Sequence, residues 1–235
     1  MKVAVSFIKS KYSEKETIDI INQTSADFLH VDIMDGIFAG VKNYDFEDIL
    51  LFTKDNHLPL DIHLMVNSPI EYIEEYLKLN PYNIAFHIEA VKNPIKIIDY
   101  IHENNVKCSL AINPETNIKE ILPYLDKIDN VLIMSVVPGK GGQKFIPETL
   151  NKIKELSKLK GNFTIEVDGG INNETIEYLK NVDIVVSGSY VCEASDFEEQ
   201  IHKLNIWLNR LKIGLFFNRN IKILHMIASY FCIKI

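Results

Sequence analysis

Three short segments place histidine, aspartate and glutamate two residues apart. They read His30-Val-Asp32-Ile-Met34, Asp61-Ile-His63-Leu-Met65 and Glu166-Val-Asp168-Gly-Gly170. Side chains alternate between the two faces of a β-strand, so residues two apart share a face. Two imidazoles and two carboxylates that converge from three strands suit one divalent transition metal ion, and the carboxylates can also transfer protons. The candidate ligands are His30, Asp32, His63 and Asp168.

Length and charge limit the function of the chain. It has 235 residues and a formal net charge of -7. No Ser/Gly/Pro-rich linker interrupts it, which favours one large α/β domain. The negative charge argues against nucleic acid as a partner and gives no long-range attraction to an anionic substrate. Any phosphate group must therefore be held by local groups.

The cysteines and the apolar segments indicate the cellular setting. Cys108, Cys192 and Cys232 are an odd set without CxxC spacing, which is typical of reduced thiols in a cytosol. The apolar stretch at the N-terminus is too short for a signal peptide, and no segment offers about 18 uninterrupted apolar residues. We expect a soluble, cytoplasmic protein without a membrane partner. Whether it forms a homo-oligomer stays open.

Short β-rich runs alternate with longer amphipathic runs along the chain. The predicted strands are Lys2 to Ile8, Asp27 to Met34, Pro59 to Met65, Asn83 to Ile88, Val106 to Ile112, Asn130 to Val136, Asn162 to Asp168 and Asp183 to Gly188. The predicted helices lie near 13–23, 46–55, 69–79, 94–104, 116–126, 147–159, 172–180 and 195–211. Eight strand–helix units fit a closed parallel (β/α)8 TIM barrel better than a doubly wound sheet, which normally shows a Gly-rich first turn.

In such barrels, catalytic groups lie at the C-terminal ends of the strands, where the four candidate ligands fall. The glycine-rich segment Pro138-Gly-Lys-Gly-Gly-Gln143 follows the sixth predicted strand, and we interpret it as a loop that closes over substrate. Gly188 and Ser189 follow the eighth strand, the usual position of a phosphate site in this fold.

The last 23 residues break the pattern. They contain Arg219, Lys222 and Lys234 and no acidic residue. We therefore divide the chain into a barrel domain of residues 1–212 and an apolar, basic C-terminal appendage of residues 213–235. The appendage could be a helix packed on the barrel, an oligomer contact, an interfacial amphipathic segment or a sequence with no selected role.

Seven motifs, in this order and spacing, resemble one known family. They are HVDIMDG, LDIHLMV, FHIEA, NPET, LIMSVVPGKGGQKF, IEVDGGIN and VSGSY. They resemble ribulose-phosphate 3-epimerase, a (β/α)8-barrel enzyme of the pentose phosphate pathway, over about residues 3–208. The resemblance implies an isomerase that interconverts D-ribulose 5-phosphate and D-xylulose 5-phosphate by moving the C3 proton between faces.

The resemblance also implies residue roles. The four candidate ligands would hold the metal, with Asp32 as proton acceptor and Asp168 as donor in one direction and the roles exchanged in the other. The implied substrate-binding residues are Ser6, His63, Gly139, Lys140, Gly141, Gly142, Asp168, Gly169, Gly170, Gly188 and Ser189. Met34, Met65 and Met134 resemble an apolar lining that keeps water out. His87 and Glu89, placed on one face of the fourth strand, are interpreted as supporting or structural residues rather than ligands.

This chemistry needs these residue types. A C3 proton beside a ketone is too weak an acid for a carboxylate unless the enediolate is stabilised, which a divalent ion does as a Lewis acid. Inversion requires one acid/base group on each face of a planar intermediate, and Asp32 and Asp168 can face each other across the barrel mouth. A site with two histidines and two carboxylates accepts Zn, Fe(II), Mn or Co.

The chain departs from the family pattern in two loops and at one strand position. After Asp35-Gly36 it reads Ile37-Phe-Ala-Gly-Val-Lys-Asn43, where the family usually has a His-Phe-Val-Pro-Asn type run. Lys140 stands where the family usually has Phe, and it would either reach the phosphate or lie in solvent. Val5 replaces the usual Pro before Ser6.

Two other enzyme activities and a noncatalytic role are alternatives to the pentulose phosphate epimerase. A 3-epimerase of a hexulose 6-phosphate, such as allulose 6-phosphate, would keep the same ligands but need more room, and residues 37–44 discriminate only weakly between the two. A decarboxylase on a related barrel would want a Lys within Asp-x-Lys-x-x-Asp, which His30 to Asp35 lacks. A noncatalytic barrel whose tail serves a partner or a membrane is disfavoured by the intact ligand set.

Overall fold

A computed structural model describes residues 1–159 and 161–206. Eight parallel strands form a closed barrel in chain order, with the eighth strand paired to the first. The strands are β1 (Lys2–Ser6), β2 (Phe28–Met34), β3 (Leu60–Met65), β4 (Asn83–His87), β5 (Lys107–Ile112), β6 (Asn130–Met134), β7 (Thr164–Asp168) and β8 (Ile184–Ser187). The predicted (β/α)8 TIM barrel is therefore confirmed.

Helices connect most of the strands. The α-helices are α1 (Glu14–Ile21), α2 (Phe46–Phe52), α3 (Pro69–Tyr76), α4 (Ile95–Glu103), α5 (Thr149–Leu156) and α6 (Ser189–Cys192). A further helix covers residues 197 to 206. Local sequence sets where the helices begin: in α1, Ser13 and Glu16 form a capping box that satisfies backbone N–H groups at the N-terminus.

The two faces of each strand bury different side chains. In β2, Leu29, Val31 and Ile33 point outward into the main core between barrel and helices. The alternating residues of the same strand, including His30 and Asp32, point into the barrel. Every residue of β2 is buried, because a parallel barrel strand is covered on both faces.

Strand register places the inward polar residues at matching heights. Ser6 pairs with His30, and Asp32 pairs with His63. On the far side of the barrel, Met134 of β6 pairs with Asp168 of β7. The sheet thus brings side chains that are far apart in sequence to one mouth of the barrel.

Three predicted helices differ from the observed structure. The predicted helix at 116–126 is replaced by two 3-10 helices, Ile118–Glu120 and Leu122–Tyr124. Pro123 lies inside this segment; it lacks an N–H and would clash with the carbonyl four residues earlier in an α-helix. The predicted helix at 172–180 is only the 3-10 helix Thr175–Tyr178; the Asn172 side chain accepts the N–H groups of Glu174 and Thr175 at its start.

The third difference lies near the C-terminus. The helix predicted at 195–211 begins at residue 197, where Asp196 accepts the N–H of Glu199 as a cap. Residues 207–211, and the proposed appendage 213–235 with Cys232, lie outside the described residues. Cys108 and Cys192 are buried free thiols. Within the described part of the chain, no helix has both the length and the apolar character that a membrane crossing needs.

Candidate active site

Four of the sequence-predicted residues converge at the C-terminal mouth of the barrel. They are His30, Asp32, His63 and Asp168, and one ligand atom from each lies within 4.8 Å of the others. Asp32 Oδ1 is 3.4 Å from His30 Nε2 and 3.1 Å from His63 Nδ1. His63 Nδ1 is 3.7 Å from Asp168 Oδ2. This cluster could bind a metal ion, as predicted.

The donor set fits a divalent ion. Ligand atoms about 2 Å from one metal ion lie roughly 3 to 4 Å from each other, which matches these separations. His30 Nε2 is buried and has no hydrogen-bond partner in the described structure. A buried polar nitrogen without a partner is costly, and a metal ion at this point would satisfy it.

A carboxylate behind His30 fixes its ring. His30 Nδ1 is 2.7 Å from Asp61 Oδ2, so Nδ1 carries the proton and Nε2 faces the cluster. Burial lowers the pKa of His30, but the neighbouring charges of Asp32 and Asp61 raise it more, and the net pKa is well above the ordinary value. A proton therefore competes with a metal ion for His30 Nε2.

Below the cluster, a row of polar side chains crosses the barrel interior. Asn83 Nδ2 donates to Asp61 Oδ1 (2.7 Å), Ser109 Oγ donates to Asn83 Oδ1 (2.8 Å), and Asn130 Nδ2 donates to Ser109 Oγ (3.0 Å) and to Glu166 Oε2 (2.5 Å). Burial and the charge of Asp61 raise the pKa of Glu166 well above its usual range, which favours its neutral form. His30, Asp61 and Glu166 also form a second group of convergent ligand atoms, but His30 Nδ1 is already bonded to Asp61.

Sequence reasoning assigned no role to this row. The available signal was a polar residue on the inward face, near the start of each strand from β3 to β7. These residues are Asp61, Asn83, Ser109, Asn130 and Glu166. The row holds Asp61 in place, and Asp61 in turn holds His30.

His63 has a different support. Its Nε2 is 3.0 Å from Nε2 of His87, and His87 Nδ1 is 3.1 Å from Glu89 Oε2. Glu89 is not on β4, where the sequence placed it, but in the 3-10 helix Ile88–Ala90 that follows. Burial lowers the pKa of His87 to about 4, and Glu89 opposes this only in part. Burial also lowers the pKa of His63.

The two cluster aspartates titrate differently. Burial raises the pKa of Asp32, but the nearby His30 and His63 lower it far below its ordinary value. Burial and the charge of Asp32 raise the pKa of Asp168 to about 7. Near neutral pH the pair therefore contains one ionised carboxylate and one that holds a proton part of the time. An acid and a base are thus available at one mouth.

Ser6 and three methionines complete the wall around the aspartates. Ser6 Oγ donates to Asp32 Oδ2 at 2.7 Å. Met34, Met65 and Met134 are buried and line the same cavity as both aspartates. The cavity lies at the ends of the strands, has a volume of about 590 Å³, and is referred to below as the mouth cavity.

The predicted glycine-rich residues line the other half of the mouth cavity. Its lining includes Gly139, Lys140, Gly141, Gly142, Gly169, Gly170, Gly188 and Ser189. Gly170 has φ +66°, and a Cβ on it would lie 2.5 Å from the backbone N of Phe145, so only glycine fits without a shift. Lys140 is exposed on the loop.

The divergent loop after β2 touches His87 and the glycine-rich loop. The ring centroid of Phe38 lies 4.7 Å from that of His87. A Cβ on Gly139, which has φ +120°, would lie 2.8 Å from the carbonyl oxygen of Ala39. Ile37 is 72% exposed. The loops after β2 and β6 therefore touch each other at Ala39 and Gly139.

Solved structures support the fold. The 3-hexulose-6-phosphate synthase from Salmonella typhimurium aligns with a TM-score of 0.67 and 15% identity, and covers 90% of this chain and 100% of its own. A phosphoribosyl anthranilate isomerase from Thermococcus kodakaraensis aligns with a TM-score of 0.61 at 14% identity, over 88% of this chain and 98% of its own. At such identity the likeness concerns the barrel alone.

Sequence relatives are more specific. The ribulose-phosphate 3-epimerase of Helicobacter pylori strain J99 is 38% identical over 204 residues, which are 83% of this chain and 93% of that protein. The enzyme of the same name from Schizosaccharomyces pombe is 35% identical over 212 residues, 86% of this chain and 92% of its own. The model of the ribulose-phosphate 3 epimerase family matches residues 2–192. On this evidence, the chain belongs to the ribulose-phosphate 3 epimerase family.

Proposed function

We propose that the protein interconverts D-ribulose 5-phosphate and D-xylulose 5-phosphate by inverting C3. The observation that carries this proposal is the pairing of Asp32 with Asp168 at one mouth, beside two histidines whose ligand atoms lie within 4.8 Å of both. Epimerisation needs a proton acceptor and a proton donor on opposite faces of one carbon. Relatives that are 38% and 35% identical to this chain over the aligned residues carry the name of this activity.

His30, Asp32, His63 and Asp168 would hold one divalent ion, with Zn, Fe(II), Mn and Co as candidates. When bound, such an ion supplies Lewis-acid stabilisation of the negative charge that develops on the substrate oxygens. The remaining chemistry falls to the side chains of the chain itself.

Asp32 and Asp168 exchange protons with C3. Asp32 is ionised and 7% exposed, which suits a base that takes the C3 proton on one face. Asp168 holds a proton part of the time near pH 7, which suits the acid that returns one on the other face. In the reverse direction the roles exchange. β2 and β7 are separated around the barrel by β1 and β8, so the two carboxylates approach the substrate from different sides.

Ser6 and the methionines shape the reacting end. Ser6 holds Asp32 by its hydroxyl and lies at the wall of the mouth cavity, where it also contacts substrate. Met34, Met65 and Met134 exclude water from the planar intermediate. A dry site strengthens the electrostatic contacts that stabilise the developing charge.

The phosphate would lie at the glycine-rich half of the mouth cavity. Backbone N–H groups at Gly142, Gly170, Gly188 and Ser189 approach an anion closely where no side chain intervenes. Gly139, Gly141 and Gly169 shape the same wall, and Lys140 on the loop adds a cation. The chain's net charge of -7 makes these local groups necessary.

A direct assay tests this function. Metal-loaded protein is incubated with ribulose 5-phosphate, and the xylulose 5-phosphate formed is measured with a coupled enzyme. A parallel assay uses allulose 6-phosphate as the larger substrate. We expect a kcat/KM for the pentulose at least about tenfold above that for the hexulose. A preference for the hexulose phosphate would refute the substrate, and no epimerisation of either would refute the function.

A further inference from the structure

A chain of three side chains runs from the metal cluster to the barrel rim. His63 is on β3 and His87 is the last residue of β4. His63 pairs in register with Ala85, so His87 lies two residues further along the same inward face. The two rings are 5.1 Å apart between centroids, and their Nε2 atoms are 3.0 Å apart. Glu89 Oε2 ends the chain, 3.1 Å from His87 Nδ1.

Glu89 is firmly held at the outer end. Its Oε1 accepts the backbone N–H of Asn113 at 2.8 Å and the hydroxyl of Thr116. The Glu89 side chain is only 22% exposed, and the ring of Phe38 covers His87. Glu89 is therefore a fixed acceptor rather than a solvated surface carboxylate.

The order of donors and acceptors follows from the carboxylate. An ionised carboxylate only accepts hydrogen bonds, so His87 Nδ1 must carry the proton that lies between them. A neutral His87 then has a lone pair on Nε2, and His63 Nε2 must donate to it. A neutral His63 with its proton on Nε2 has a lone pair on Nδ1. That Nδ1 is the atom nearest Asp32 Oδ1 and Asp168 Oδ2.

The opposite order conflicts with the contacts. If His63 donated through Nδ1 to Asp32, then His87 Nε2 would donate to His63, and the lone pair of His87 Nδ1 would face the Glu89 carboxylate. Two acceptors at 3.1 Å would repel each other, and no group of metal ligands in the described residues includes this pair. In the proposed order His63 Nδ1 and Asp32 Oδ1 are also two acceptors 3.1 Å apart, but both belong to the metal cluster, and a cation held by both would remove their repulsion. Glu89 thus decides, through His87, which nitrogen of His63 is free.

We propose that His87 and Glu89 are positioning residues that fix the ring orientation and tautomer of His63, so that its Nδ1 lone pair faces the metal. This inference rests on the metal site of the proposed function. It gives His63 the same kind of support that Asp61 gives His30, with one more imidazole between carboxylate and ligand.

Nitrogen NMR tests the tautomer directly. Protein labelled with 15N-histidine and loaded with diamagnetic Zn(II) gives a separate long-range 1H–15N pattern for each histidine ring. The patterns of His63 and His87 are assigned by their absence in the H63Q and H87F variants. We expect His63 to be protonated on Nε2 and coordinated through Nδ1, and His87 to be protonated on Nδ1. His63 protonated on Nδ1, with Nε2 on the metal, would overturn the proposal.

Metal affinity tests the consequence. Zn(II) Kd values are measured by competition with a chromophoric chelator at fixed pH. We expect a loss of about 10- to 100-fold for His87→Phe, which removes the acceptor for His63, and of about tenfold for Glu89→Gln, which no longer imposes one proton order. Because Glu89 lies at the rim, its variant keeps the test valid even if His87→Phe fails to fold.

Glu115→Gln is the matched control. Glu115 is exposed and its charge acts on His87 only through space, so its removal should change the Kd by less than about twofold. Equal losses of Zn(II) affinity in Glu89→Gln and Glu115→Gln, or wild-type affinity in Glu89→Gln, would overturn the positioning role of His87 and Glu89. The metal site itself would stand. Failure of the wild-type protein to bind Zn(II) would overturn both the metal site and the positioning role of His87 and Glu89.

Discussion

At the scale of single residues, metal binding at the proposed site would replace protons. The charges of Asp32 and Asp61 raise the pKa of His30 well above its ordinary value, and its Nε2 points to the cluster with no hydrogen-bond partner in the described structure. Asp168 holds a second proton, with a pKa raised to about 7 by burial and by Asp32. Both residues must lose their protons before they can serve as ligands.

This competition predicts the pH dependence of metal affinity. Above pH 7 only His30 still releases a proton on binding, and below pH 7 Asp168 increasingly releases a second. The apparent Kd for Zn(II) should therefore rise as pH falls from 8 to 6, by about tenfold per pH unit for each proton released, and more steeply below pH 7. Chelator competition at each pH measures it. A Kd that is constant across this range would contradict the protonation states described.

The two aspartates also predict that exchange of the C3 proton with solvent can be separated from inversion of C3. Asp32→Asn and Asp168→Asn should each lower turnover by at least about 10³-fold, because each loses a proton carrier and a negative ligand. One remaining carboxylate can still exchange the C3 proton with D2O on its own face, without inversion. A coupled assay measures the rate of epimerisation, and mass spectrometry of the recovered substrate measures the rate of proton exchange. Circular dichroism checks that each variant is folded. Near-normal epimerisation in either variant would end the two-carboxylate mechanism.

At the scale of elements, strand order was predictable and strand register was not. The alternation of β-rich and amphipathic runs predicts eight strand–helix units, and period two places His30 and Asp32 on one face. The hydrogen bonds between His63 and His87, and between His30 and Asp61, join different strands. One sequence carries no direct signal for the register between its strands, so these contacts needed the structure.

Two helix predictions failed in the connections between strands. Pro123 prevents a continuous helix over 116–126. The segment 172–180 begins with a cap from Asn172 but continues only as a 3-10 helix. Both segments lie on the outside of the barrel and leave the strand ends unchanged. The site therefore depends on the strands, and the fold tolerates short connections.

The connection after β7 predicts a contrast between two glycines. Gly170 and Gly40 have similar positive φ, +66° and +71°, but a Cβ would collide with Phe145 at Gly170 and meet nothing within 4 Å at Gly40. Both alanine variants should lose about 1 to 2 kcal/mol from backbone strain. Gly170→Ala should lose more, and should raise KM for the sugar phosphate, since the wall of the mouth cavity must move.

Denaturant unfolding and steady-state kinetics of both variants measure this contrast. Gly40→Ala serves as the control for backbone strain without a collision. Equal stability and equal KM in the two variants would show that the close approach at Gly170 has no role in the shape of the cavity.

At the scale of the whole molecule, the site is complete within the barrel. All eight strands and every proposed ligand or substrate contact precede residue 190. Truncation after Lys212 should therefore leave kcat/KM unchanged within about twofold, while loss of the apolar segment 213–235 could alter assembly. Kinetics and sedimentation of full-length and truncated protein measure this. A truncated form that keeps its fold and assembly but loses activity would contradict the division into barrel and appendage.

The measurement closest to the central claim is the metal dependence of epimerisation. The protein is stripped with a chelator, checked by elemental analysis and reconstituted with Zn, Fe(II), Mn or Co. Each preparation is then assayed on ribulose 5-phosphate. The variant His63→Ala is assayed beside it and should bind metal at least about tenfold more weakly. We predict that the stripped protein stays folded and inactive, and that activity returns in proportion to bound metal up to one ion per chain. Full activity in protein that holds no metal would contradict the account.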